Sequence, residues 1–149
     1  EETGADLVYH GMYYRFFDPY NNAITRSYRP AEPYDRERLL HEQYIPGQVA
    51  YLKEKILKTP YDERIKCCDD YQMLLEFSLN NYRFEPIDKI LYDYVDSPDS
   101  INISGEMSGN RKKDVEIILD ILKTKYDIEG RAMLWSQTIG GEVTKREFV

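Results

Sequence analysis

Between Tyr71 and Leu79, the residues Tyr71, Leu74, Leu75, Ser78 and Leu79 fall at i, i+3, i+4, i+7 and i+8, the spacing of one helix face. Two adjacent carboxylates, Asp69 and Asp70, stand immediately before this run, so an acid pair opens a buried helix. The first N–H groups of a helix have no partner within it and attract negative charge. Asp69 and Gln72, three residues apart, have the spacing of a capping box. On these residues alone the pair reads as a helix cap. A carboxylate positioned for proton transfer is the functional alternative.

The 149 residues, 42% hydrophobic and 32% charged, suit about one globular domain. There is no basic-then-apolar leader, and no run of about 18 apolar residues that would span a membrane. Cys67 and Cys68 are adjacent, a spacing that does not favour a bridge between them, and two cysteines form no disulfide framework. A reducing, cytoplasmic compartment is expected. The formal charge is −7 and the longest basic run is Arg111-Lys112-Lys113, which argues against a nucleic-acid partner.

Residues 5–17 are rich in aromatic and β-branched side chains and end at the turn formers Asp18-Pro19-Tyr20-Asn21-Asn22, predicting a strand and a loop. Residues 28–34 carry two prolines and predict an extended connection. Asp35 should cap a short helix through Leu39, Leu40 and Gln43 that Tyr44-Ile45-Pro46-Gly47 ends. Residues 48–52 read as a central strand and 53–57 as a short helix. Ser104 to Asn110 has the composition of a linker. After it, Val115, Ile118, Leu119 and Leu122 mark one face of a helix from Lys113 to Tyr126 that packs on the body or on a partner. His10 and His41 read as packed or hydrogen-bonded side chains, because no convergent ligand set accompanies either and no metal site is expected.

Four segments in order, Tyr61-Asp62-Glu63, Asp69-Asp70-Tyr71, Asn81-Tyr82-Arg83-Phe84 and Ile87 to Tyr94, resemble the C-terminal, acceptor-side half of family 2 glycosyltransferases of GT-A fold. The strand Ala5-Asp6-Leu7-Val8-Tyr9 is similar to the one that follows the metal-binding Asp-x-Asp segment in that family, and no upstream half is present here. The resemblance covers residues 5–104. It implies an α/β fold: the rear half of a GT-A-like mixed sheet with flanking helices over residues 1–104, a linker at 105–110, and a helical C-terminal tail over 111–149.

The resemblance implies that Asp70 is the general base that deprotonates an acceptor hydroxyl, with Asp69 in the place usually held by Glu. It also places the loop Tyr44 to Gln48 at the acceptor cleft. Tyrosine is over-used, at 14 residues, and its ring offers a sugar both an apolar face and a hydroxyl. Tyr44, Gln48 and Tyr71 are thus the acceptor-binding candidates. The partners implied are a nucleotide-sugar donor and a glycan or lipid-linked acceptor, with Mg or Mn as the divalent metal of the full-length parent and no cofactor for this chain alone. The location implied is cytoplasmic, or peripheral at the inner face of the membrane.

One departure limits this reading. Relatives carry His and Arg for the donor's metal and diphosphate where this chain has Ser97 and Val95, and neither side chain can do that work. The competing expectation is a non-catalytic module of the same fold, and on both readings the sheet edge left open by the missing strands predicts self-association into dimers or higher species.

Overall fold

The structure is a computed structural model that describes residues 4–18, 23–96, 108–129, 133–137 and 143–147. Strand β1 (Leu7–Asp18) is the axis of a mixed four-stranded sheet. β2 (Ala23–Arg29) pairs antiparallel with its second half, Met12 opposite Arg29 and Asp18 opposite Ala23. β3 (Val49–Tyr51) pairs antiparallel with its first half, Leu7 opposite Tyr51. β4 (Phe84–Asp96) runs parallel to β1 along nearly its whole length. Because Leu7–Tyr9 pair with both β3 and β4, and Met12–Phe16 with both β2 and β4, β2 and β3 share one side of β1 and β4 holds the other.

The strand expected over 5–17 is therefore present. One strand is added and one reading changes. Residues 23–29, with the strand formers Ile24, Thr25 and Tyr28, close a hairpin onto β1; the segment 48–52 is a three-residue edge strand and not a central one. The changeover from β3 to β2 coincides with a register break between His10 and Met12. Gly11 sits there because a Cβ would come within 2.8 Å of the Arg29 carbonyl and 3.2 Å of the Ala31 nitrogen.

The parallel pairing of β1 and β4 requires a long crossover, and the chain between them supplies α1 (Arg36–His41), α2 (Lys53–Ile56) and α3 (Asp69–Leu79). Asp35 caps α1 as its residue type predicts, accepting from the Arg38 N–H at 3.1 Å. α3 is the core helix. Its Tyr71, Met73, Leu74, Leu75 and Phe77 pack with Leu7, Tyr9 and Phe84 of the sheet and with Leu39 and Ile45.

α4 (Asn110–Tyr126) lies alongside α3 and contributes Val115, Ile118 and Leu122 to the same core. Asp114, near its start, binds the peptides just before α3, whereas Lys125 and Tyr126, at its end, reach Glu76 near the end of α3. The two helices thus run in the same direction. Both end in a left-handed residue that tolerates positive φ, Asn81 at 58° and Asp127 at 55°.

Within the expected linker, residues 105–107 lie outside the described residues, and Gly109 is already the N-cap of α4. The expected helical tail is helical only to Tyr126. Beyond it β5 (Met133–Gln137) and β6 (Val143–Glu147) form an antiparallel pair, Trp135 opposite Lys145, with the Gly140-Gly141 pair in the sequence between them. Among the described residues no helix is long and apolar enough to cross a membrane.

Candidate functional site

The acid pair stands at the head of α3. The helix starts one residue earlier than a capping box on Asp69 requires: Cys68 is the N-cap and has no side-chain bond to the helix. Gln72 is turned elsewhere, accepting from the Asp62 N–H at 2.9 Å and donating to Glu76 at 2.8 Å. The capping-box expectation therefore fails. The stabilising anion comes from another helix: Asp114, only 1% exposed, accepts from the N–H groups of Lys66 (3.0 Å), Cys67 (2.7 Å) and Cys68 (3.1 Å). Three successive peptide donors converge on one carboxylate directly before the helix begins.

Relieved of capping the helix from outside, Asp69 is exposed and Asp70 is half-buried. One Asp70 oxygen accepts from the Tyr71 N–H at 2.7 Å, and the other accepts from the Gln43 side-chain amide at 2.9 Å. Burial pushes the Asp70 carboxyl above the ordinary carboxylate range, and these two donors pull it back only in part. The loop after α1 lies directly against it. A Cβ on Gly47 would fall 2.9 Å from Asp70 Cβ and Cγ, so only glycine fits there. The juxtaposition of the loop Tyr44 to Gln48 with the acid pair is present in the fold.

The individual acceptor candidates separate. Gln48 is half-buried in that loop. The Tyr44 hydroxyl accepts from the Asp35 N–H at 2.6 Å and its ring lies under the Arg38 guanidinium at 4.3 Å, so this side chain braces the start of α1. Tyr71 is fully buried and its hydroxyl donates to the Leu39 carbonyl at 2.9 Å. It is a core side chain, which corrects its reading as an acceptor contact: with no exposed surface and its hydroxyl taken by a backbone carbonyl, it offers a ligand neither its ring nor its hydroxyl.

Two other tyrosines, missed in the sequence, face outward near the acids. Tyr51 on β3 is 38% exposed and Tyr61 is 41% exposed. The Tyr61 hydroxyl lies within hydrogen-bonding reach of Tyr51; burial first, then that neighbour and the charges of Asp69 and Asp70, hold it protonated well above the ordinary range. Their signal in the sequence was weak: Tyr51 ends a strand and Tyr61 precedes Asp62 in a turn.

Cys67, Cys68 and Asp114 bring one ligand atom each to within 4.8 Å of one another. This group does not suit the Mg or Mn that the family resemblance implies, which take oxygen ligands. Asp114 is already filled by three peptide N–H groups and the Cys67 thiol at 3.1 Å. Burial pushes the Cys67 thiol up to about 11 and Cys68 higher still, so both are protonated thiols in the metal-free chain. Both thiols are free. His10 bonds through Nδ1 to the Gly11 carbonyl at 2.8 Å, in keeping with a hydrogen-bonded strand histidine. Ser97 lies outside the described residues, and Val95 is exposed on β4.

Comparison with protein-family models and with curated proteins returns no match.

Proposed function

We propose that the chain is the acceptor-side half of an inverting glycosyltransferase, in which Asp70 takes the proton of an acceptor hydroxyl. The observation that carries this reading is the placement of Asp70 itself. It is held at the head of the core helix, half-buried, with its carboxyl raised and a glycine of the facing loop against it. A carboxyl raised by burial is a stronger base once ionised than one in water, and a sugar hydroxyl is a poor nucleophile without one.

In the proposed step the acceptor oxygen bonds to the anomeric carbon of the donor from the face opposite the leaving group. The hydroxyl proton passes to an Asp70 oxygen, the bond between anomeric carbon and phosphate oxygen breaks, and the nucleoside diphosphate leaves with that electron pair. Asp69, exposed one residue earlier, keeps the mouth of the site anionic and raises Asp70 further. On this reading the donor and its divalent metal would be held by the nucleotide-binding half. The same reading carries a location in the cytoplasm or at the inner face of the membrane. The test is sugar transfer by the protein that carries this chain together with a nucleotide-binding half. Asp70→Asn should lower turnover about 100-fold or more with the fold unchanged, and retention of turnover would overturn the assignment.

A second reading is favoured by a separate feature. The side of β4 away from β1 pairs with no strand among the described residues, and Leu91 and Val95 on that strand are 60% and 58% exposed. A non-catalytic module that self-associates through this edge would use both. Sedimentation tests the edge, and the Asp70→Asn variant separates the two readings: concentration-dependent dimers abolished by a proline at Tyr94 support association through β4, and a monomer at high concentration counts against it.

A further inference from the structure

Asp70 and Phe77 are seven residues apart on α3, two turns or about 10 Å along one face of the helix. β3 runs beside that face. Gly47, just before it, lies against Asp70, and Tyr51, at its end, packs its ring edge-on against Phe77 at 5.9 Å. On the other flank the segment Pro60-Tyr61-Asp62 is tied to α3 through Gln72, which bonds to the Asp62 N–H at 2.9 Å and to the Pro60 carbonyl at 3.4 Å. Tyr61 closes the distance between the flanks, within reach of the Tyr51 hydroxyl and of the charges on Asp69 and Asp70. Two exposed aromatic side chains, both on backbone anchored to α3, thus flank the helix that the acid pair opens.

From this arrangement we propose that Tyr51 and Tyr61 form the platform on which the acceptor's sugar ring lies, and that the acceptor is a neutral saccharide. The inference rests on the glycosyltransferase reading of Asp70 and deepens it. The chemistry of the strip selects this ligand over others. An anionic acceptor would meet the negative field of Asp69 and Asp70. A purely apolar ligand would cover the tyrosine hydroxyls and leave them without water. A pyranose presents axial C–H bonds to an aromatic face and a rim of hydroxyls to the phenol oxygens and carboxylates, which matches both parts. Phe77 against the Tyr51 ring and the Gln72 bonds to the backbone on either side of Tyr61 fix these positions before the ligand arrives, which lowers the order to be gained on binding.

The test uses the whole chain labelled with fluorotyrosine and titrated with cellobiose, lactose, maltose and chitobiose at up to tens of millimolar. The Tyr51 and Tyr61 resonances should move with at least one of these sugars while those of buried Tyr9 and Tyr71 stay still. Tyr61→Ala should weaken that binding about tenfold or more, and Tyr61→Trp, which keeps an aromatic face, should restore most of it. Resonances that ignore every sugar, or binding equal in Tyr61→Ala and the unaltered chain, would overturn the platform. Failure of the parent reading looks different. Tyr61-dependent binding in a chain whose Asp70→Asn variant transfers as well as the unaltered protein would keep the platform and remove the base.

Discussion

Asp114→Ala removes the carboxylate that binds the peptides leading into the core helix from another element. Its carboxylate accepts from three consecutive peptide N–H groups at 2.7 to 3.1 Å and from the Cys67 thiol, at 1% exposure. Lys66 is exposed, so its N–H can turn to water; the Cys67 and Cys68 donors are half-buried and buried. Leaving a buried donor unsatisfied costs about 1–3 kcal/mol. Two such donors, together with loss of the anion at a helix N-terminus, give about 2–7 kcal/mol. Against a total stability of about 5–15 kcal/mol for a domain, that is a large fraction. Asp114→Asn retains one acceptor oxygen and should lose about half as much. The assay is urea unfolding, read as a lower midpoint at unchanged slope, with amide exchange at Cys67 and Cys68 as the local measure. A loss below about 1 kcal/mol for Asp114→Ala, or unchanged protection of those amides, would refute the claim that α4 holds the head of α3.

Three further outcomes follow from the same site. Gly47→Ala puts a Cβ 2.9 Å from two Asp70 carbons, so it should cost about 1–3 kcal/mol in thermal or urea unfolding and displace the Asp70 carboxyl resonance. Asp70 has a folded pKa raised above its unfolded value by burial, so the folded state holds the proton longer. Its contribution therefore favours folding below the unfolded pKa and is lost as pH rises to the folded one, and Asp70→Asn should be at least as stable as the unaltered chain at neutral pH. A cap would behave oppositely, and a loss of about 1 kcal/mol in that variant would restore the capping reading. Finally, with Cys67 pushed up to about 11 and Cys68 buried, alkylation of the folded chain at pH 8 should run about tenfold or more slower than in urea. Equal rates would contradict the burial.

What the sequence makes legible here is whatever depends on neighbours along the chain. The α3 face repeats at helical spacing, Asp35 stands where a cap must, and the aromatic run of β1 is continuous. What depends on distant partners is hidden. β2 carries Arg26 and Arg29 and becomes a strand because β1 offers it an edge, while Arg26 stacks over Tyr13 and pairs with Asp93 across the sheet. Asp114 looks like one more polar residue on an amphipathic helix, since the peptides it binds lie 46–48 residues earlier. Gln72 has the capping-box spacing, but Asp62 and Glu76 claim its amide. The acid pair was readable as a feature and the tyrosines around it were not. Burial decides which ring faces the opening, and Tyr71, adjacent to the acids in sequence, points into the core while Tyr61 reaches the site from a turn.

The central claim is that Asp70 is placed for proton transfer and not for holding the helix. Its most direct test measures stability and sugar transfer on the same Asp70→Asn variant, in the protein that joins this chain to a nucleotide-binding half. The account predicts stability equal to or above that of the unaltered protein at neutral pH, with turnover down about 100-fold or more. Turnover within about twofold of the unaltered protein, accompanied by a loss of about 1 kcal/mol, would contradict it and leave Asp70 a structural residue.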